Sequence, residues 1–146
     1  MRTLKIGVVW ILLAVVSHAV NMQKLIWYKS PVKRIQGQIV DASGVAVDLV
    51  DVNVWSNPEL WSDDSLSPRQ KRLRQRKVAA STTDEKGKFS IKKLQNGSYE
   101  VEFRKAGFND FSVIVQVNSA ALSEKFCVTL YPGGATNNAS FQPCAQ

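Results

Sequence analysis

The sequence "TTDEKGKFSIKKLQNGSYEVEFRKAGF", residues 82–108, gives the strongest indication of the fold class. Three turn signals divide it: an Asp-x-x-Gly sequence at 84–87, an Asn-Gly pair at 96–97 and an Ala-Gly pair at 106–107. Aspartate at the first position and glycine at the last are typical of a type I turn, and Asn-Gly tolerates the positive φ of a tight reversal. The stretch therefore predicts short β-strands joined by turns, as in a meander.

Alternation of apolar and polar residues gives each predicted strand one core face. In this pattern Tyr99, Val101 and Phe103 point inward, whereas Glu100 and Glu102 point outward. No helical period runs through the core-forming segments. The seven predicted strands lie in KRIQGQIVDASG, LVDVNVW, VAASTT, KFSIKKL, SYEVEFR, FSVIVQV and KFCVTLY. We therefore predict an all-β fold, a seven-stranded antiparallel β-sandwich.

The amino-terminal stretch "MRTLKIGVVWILLAVVSHAV" has the pattern of a secretory signal peptide. A basic start precedes an apolar run, and small residues follow at the positions that signal peptidase reads. We predict a signal helix over residues 1–19, with cleavage after Ala19 and a secreted, periplasmic or extracellular mature protein. The alternative is an uncleaved membrane anchor. Residues 20–33 form a lead-in segment in which Pro31 discourages regular structure.

The two cysteines, Cys127 and Cys144, both lie outside the predicted signal peptide. An even number of cysteines in an oxidising compartment predicts a disulfide. The bridge would tie the tail, residues 132–146, back to the last strand, and its short loop corresponds to an entropic stabilisation of about 3 kcal/mol. The alternative is two free thiols.

Residue composition argues against an enzyme. Loss of the signal peptide removes His18, the only histidine, so the mature chain has no imidazole for general-base, nucleophilic or zinc chemistry. The adjacent acidic pairs at 63–64 and 84–85 lie in turn-like segments, where exposed carboxylates are the rule. We predict no catalytic residue, no metal site and no cofactor.

A basic insert, residues 56–77, separates the second and third predicted strands. Trp55 precedes it and Trp61 lies within it. Its cations are Arg69, Lys71, Arg72, Arg74, Arg76 and Lys77. One interpretation is a solvated, mobile loop or a short exposed helix. On this interpretation Trp55 ends a strand and covers the sandwich edge, and Trp61 anchors the insert. The other is a binding surface: cations for an acidic polysaccharide, lipid or protein surface, and indole rings for stacking on sugars.

A series of turn and core motifs resembles the carboxypeptidase regulatory-like domain family, which is transthyretin-like and related in shape to immunoglobulin-like sandwiches. The motifs are Gly37-x-Ile39-x-Asp41-x-x-Gly44-x-x-Val47, Thr83-Asp84-x-x-Gly87-x-Phe89, Leu94-x-x-Gly97-x-Tyr99-x-Val101 and Gly107-Phe108. Ala46 departs from the proline that the family often has, and the insert is longer than the family's link. The resemblance implies a sandwich over residues 34–131 and an exported, non-catalytic accessory or binding module. It carries no functional residue onto this chain.

Three functional hypotheses therefore remain. We expect an interaction or structural module that docks on another extracytoplasmic protein. The alternative is a module that binds carbohydrate or an acidic envelope surface through Trp55, Trp61 and the basic insert. An enzyme would need two shielded carboxylates in one pocket. Loss of Arg2 and Lys5 with the signal peptide lowers the formal net charge from +7 to +5, most of it in the insert. We expect no nucleic-acid partner, and membrane contact only if the signal peptide is retained.

Overall fold

A computed structural model describes residues 25–134 and 139–144 of the chain. The predicted signal helix, its cleavage site and residues 20–24 lie outside the described residues. The elements, in chain order, are β1 (Ile26–Trp27), β2 (Ile35–Asp41), β3 (Asp51–Trp55), a 3₁₀ helix (Pro58–Ser62), α1 (Pro68–Arg74), β4 (Lys77–Thr82), β5 (Lys88–Ile91), β6 (Gly97–Arg104), β7 (Phe111–Val117), β8 (Phe126–Leu130) and β9 (Ser140–Pro143).

The strands form two sheets that pack face to face. One sheet has five strands in the order β1-β7-β6-β3-β4, and the other has four in the order β5-β2-β8-β9. The predicted β-sandwich is confirmed. The predicted count of seven is wrong, because the described residues contain nine strands. The two additional strands come from the lead-in and from the tail, where β1 is too short to show alternation and β9 ends in proline.

The sheets are mixed and not purely antiparallel as predicted. β1 pairs with β7 in parallel, and β2 pairs with β8 in parallel, whereas the other pairs are antiparallel. Alternation identifies the buried face of a strand but not its neighbour. The predicted meander also differs from the structure, because the chain changes sheet between β4 and β5 and again across residues 92–96.

The inward faces of both sheets interdigitate in one core. Phe103 is fully buried near its centre, with ring centroids 5.6 Å from Phe89 and 5.9 Å from Phe111. Phe141, on β9, packs against Phe126 with ring centroids 4.2 Å apart and so extends the core towards the tail. Valine supplies most of the remaining core side chains, as expected for a half-buried pleated surface.

Tyr28, just after β1, ties the lead-in to the rest of the sandwich. Its hydroxyl donates a hydrogen bond to Glu124 at 2.8 Å, and its ring meets Phe126 edge-on at 5.0 Å. Burial, together with the hydrogen bond and the negative charge of Glu124, raises the pKa of the Tyr28 hydroxyl from 10.0 to about 12.

The raised pKa of Tyr28 predicts a loss of stability in alkali. Below pH 10 the hydroxyl is neutral whether the chain is folded or unfolded, and its contribution is fully present. Between pH 10 and 12 the unfolded chain ionises first, so the free energy of unfolding falls. Urea unfolding over this range should show a shallower decline for Tyr28→Phe than for the unmodified protein. Equal slopes for the two proteins would contradict the assignment.

Candidate functional site

The basic insert folds as a short, capped helical unit. Ser67 is the N-cap of α1. Its side chain accepts a hydrogen bond from the Gln70 N–H at 3.3 Å, while the Gln70 side chain accepts one from the Ser67 N–H at 2.8 Å. This capping box, with Pro68 in the first turn, satisfies the first amide groups of the helix. A seven-residue helix is marginal alone, so its persistence requires contacts with the sheet.

The link between the 3₁₀ helix and α1 is fixed by Asp63. Its carboxylate accepts hydrogen bonds from the Ser65 hydroxyl at 2.6 Å and the Ser65 N–H at 2.9 Å. These two bonds hold the pKa of Asp63 below its usual value. The acidic pair at 63–64 is therefore part of the turn that starts α1.

Glu100, on the outer face of β6, anchors the insert to the five-stranded sheet. Its side chain is only 1% exposed. It accepts hydrogen bonds from Trp61 Nε1 at 2.7 Å and Gln75 Nε2 at 2.9 Å, and Arg72 donates to both of its oxygens at 3.0 and 3.3 Å. Three residues of the insert thus converge on one buried carboxylate, which is a well-satisfied arrangement for a buried charge.

Glu102, two residues along β6, extends the same cluster. It accepts from Arg72 at 3.3 Å, Trp55 Nε1 at 3.2 Å and Asn53 at 3.4 Å. The Arg72 guanidinium lies 4.5 Å from the Trp55 ring centre and 5.5 Å from that of Trp61, within the range of cation–π attraction. Arg72 therefore lies between two tryptophans and two glutamates. We call Trp55, Trp61, Arg72, Gln75, Glu100 and Glu102 the anchor cluster.

Two lysines of the insert reinforce the anchor cluster. Lys71 is 8% exposed, and its ammonium donates to the Trp61 carbonyl at 3.0 Å. Lys77 lies 5.3 Å from the Trp55 ring centre. The insert is thus packed on the sheet, and this supports the interpretation in which Trp61 anchors it.

The predicted binding residues separate into two groups. Trp55, Trp61, Lys71 and Arg72 make internal contacts that hold the insert in place. Arg69, Arg74, Arg76 and Lys77 are exposed. The predicted disulfide between Cys127 and Cys144 is present, joining β8 to the residue after β9.

The shielding of the Glu100 and Glu102 carboxylates was not predicted from the sequence. Alternation correctly placed both on the outer face of β6, but it could not show that the insert covers that face. Charge was the sequence feature that could have indicated this contact, because the insert is basic and a later strand has two outward-pointing glutamates. Each oxygen of both carboxylates accepts at least one protein N–H, so the pair is suited to holding Arg72.

Leu73 is the apolar residue that α1 turns towards solvent, with 75% of its surface exposed. Arg69 lies four residues before it and Arg74 directly after it, and both are exposed. Residues four apart in a helix share a face, so Arg69 and Leu73 form one surface. We call Arg69, Leu73, Arg74 and Arg76 the α1 crest.

An open cleft of about 470 Å³ separates the insert from β1. Its lining includes Trp27, Trp61, Asp64, Lys71, Glu102 and Ser112. Across residues 25–134 and 139–144, no three histidine, cysteine or acidic side chains come together as a metal-binding group would. In that same part of the chain, none of the helices has the length and hydropathy needed to cross a membrane.

A family model matches most of the chain. Residues 34–130 match the family model described as the carboxypeptidase regulatory-like domain. A comparison with curated proteins found no match. The matched range runs from just before β2 to the end of β8 and includes the insert.

Proposed function

We propose that this chain, which belongs to the carboxypeptidase regulatory-like domain family, is an exported module that docks on an acidic surface of another extracytoplasmic protein. The family is non-catalytic and has the transthyretin-like β-sandwich fold. Function in such a module depends on surfaces, because fold alone does not determine activity.

The α1 crest is the main structural support for this proposal. It presents Leu73, an apolar side chain with 75% exposure, on a helix that the anchor cluster fixes to the sheet. A mobile loop would lose conformational entropy on binding, whereas a fixed helix has already lost it. Leu73 can therefore act as an apolar anchor at little ordering cost.

Charge indicates the chemistry of the partner. Three exposed arginines, Arg69, Arg74 and Arg76, lie within four residues of Leu73 in the chain. Arg72, by contrast, is neutralised by Glu100 and Glu102 and contributes little to the outer surface. A partner with carboxylates around an apolar pocket would complement this surface, and the charges would mainly set its association rate and specificity.

Export is supported by two observations. The disulfide between Cys127 and Cys144 is of the kind that persists in oxidising compartments. The sequence of residues 1–19 has the three-part pattern of a signal peptide.

The experiment is capture of partners from a secreted or envelope fraction by the immobilised full chain. We expect Leu73→Asp to reduce recovery of an acidic partner at least about tenfold, because a central apolar anchor is replaced by a carboxylate. Arg69→Glu with Arg74→Glu should reduce capture most strongly at low salt.

Leu122→Asp is the matched control, since Leu122 is 80% exposed and lies between β7 and β8, away from the insert. Support requires an acidic partner that Leu122→Asp retains and Leu73→Asp loses. Equal capture by both variants, or no captured protein, would overturn the proposal.

A further inference from the structure

We propose that the cleft between the basic insert and β1 is a second binding site, one that takes an uncharged saccharide with Trp27 as the stacking surface. This site is separate from the α1 crest and does not depend on the proposed docking function. It also revises the predicted sugar-binding pair: Trp27 takes the place of Trp55, which belongs to the anchor cluster.

The strand register places Trp27 on the same face of the sheet as the anchor cluster. Trp27 is paired with Ile114 on β7, and Ile114 is paired with Glu100 on β6. Paired residues of neighbouring strands share a face. Trp27 is thus two strand spacings, about 10 Å, from Glu100, which accepts the hydrogen bond of the Trp61 indole. Both tryptophans line the cleft.

Trp27 is exposed where a core tryptophan would be covered. It is 54% exposed, whereas its neighbour Ile114 is 1% exposed. Trp27 therefore contributes a large apolar ring to an open cleft. An indole face is the usual surface for stacking on the C–H side of a sugar ring.

The other lining residues of the cleft offer both donors and acceptors. Lys71 and Arg72 supply N–H groups, and Asp64 and Glu102 supply carboxylate oxygens. Two hydroxyl groups, those of Ser62 and Ser112, also line the cleft. A polyhydroxylated ligand, whose hydroxyls both donate and accept, matches such a mixed lining.

The charge of the lining disfavours an anionic ligand. Its carboxylates belong to Asp64, Glu100, Glu102 and Asp110, and they outnumber the cations Lys71 and Arg72. An anionic sugar would therefore be repelled by the excess of carboxylates. The volume of about 470 Å³ falls within the range of roughly 300–1,000 Å³ typical of small-molecule sites.

The test is titration of the purified full chain with a panel of neutral oligosaccharides of glucose, mannose, galactose and N-acetylglucosamine, followed by calorimetry. At least one neutral member should bind, and Trp27→Ala should weaken that binding at least about tenfold. Uronic acid oligosaccharides of the same length should bind more weakly.

Ile26→Ala is the matched control, because Ile26 is the neighbouring strand residue, is 42% exposed and lies outside the cleft lining. It should retain binding, and so should Leu73→Asp, which separates this site from the α1 crest. Absence of neutral saccharide binding at millimolar concentration, unchanged affinity in Trp27→Ala, or tighter binding of the uronic acids would each overturn the proposal. Thermal unfolding of Trp27→Ala verifies that the fold is retained.

Discussion

Replacement of Arg72 by alanine is expected to lower the free energy of unfolding by about 3 kcal/mol. The change removes the guanidinium that pairs with Glu100 and Glu102 and lies against the rings of Trp55 and Trp61. Glu100 is 1% exposed, so its carboxylate would stay buried without its main charged partner. A buried charge left unpaired costs more than the pair itself contributes.

Urea unfolding measures this effect, and two further variants define its origin. Arg74→Ala removes an exposed arginine of the same helix and should change stability by less than about 0.5 kcal/mol. Arg72→Lys keeps the charge but not the paired N–H geometry or the ring stacking, so its effect should be intermediate. Equal stability of Arg72→Ala and Arg74→Ala would contradict the assigned role of the anchor cluster.

Removal of the disulfide is expected to cost about 3 kcal/mol as well, by a different mechanism. Cys127 and Cys144 are separated by 17 residues, and a loop of that length restricts the unfolded chain by roughly this amount. The bridge also holds β9 against β8, and with it Phe141 against Phe126. The Cys127→Ala/Cys144→Ala variant should therefore unfold at lower urea concentration and lose protection of the β9 amides.

A reducing agent provides the control for the disulfide prediction. It should shift the unfolding midpoint of the unmodified protein to that of the double variant, and it should leave the double variant unchanged. Unchanged stability after reduction, with two free thiols confirmed by titration, would refute the prediction.

The β-sandwich could be predicted because the alternation of apolar and polar residues within each strand indicates which face of that strand is buried. Val101 and Phe103 are fully buried, as alternation predicted. The family motifs also have physical reasons: a side chain at Gly37 would meet the carbonyl oxygen of Phe126 across the parallel β2–β8 pair, and Gly87 has a φ of 69°. Strand order and direction are properties of pairs, and alternation within one strand does not specify them.

The candidate sites were harder to predict, since they depend on contacts between distant segments. Arg72 and Glu100 are 28 residues apart, and the opposite charges of the two segments do not specify which arginine pairs with which glutamate. Trp27 was not predicted as a site residue, because it lies in the lead-in segment, where Pro31 indicated irregular structure. Leu73 was not predicted as a binding residue, because it lies between two arginines in a segment that is otherwise mostly polar.

We infer that the basic insert is a fixed part of the outer face of the sandwich. Hydrogen–deuterium exchange of the amides of α1 and Gln75 can establish this, because the N–H groups of Lys71 and Gln75 donate to the Ser67 and Lys71 carbonyls at 3.0 and 3.2 Å. We predict exchange slowed by on the order of 100-fold relative to an unstructured peptide, with this protection lost in Arg72→Ala. If these amides exchange as fast as those of an unstructured peptide while the β6 amides stay protected, the insert is not fixed on the sheet.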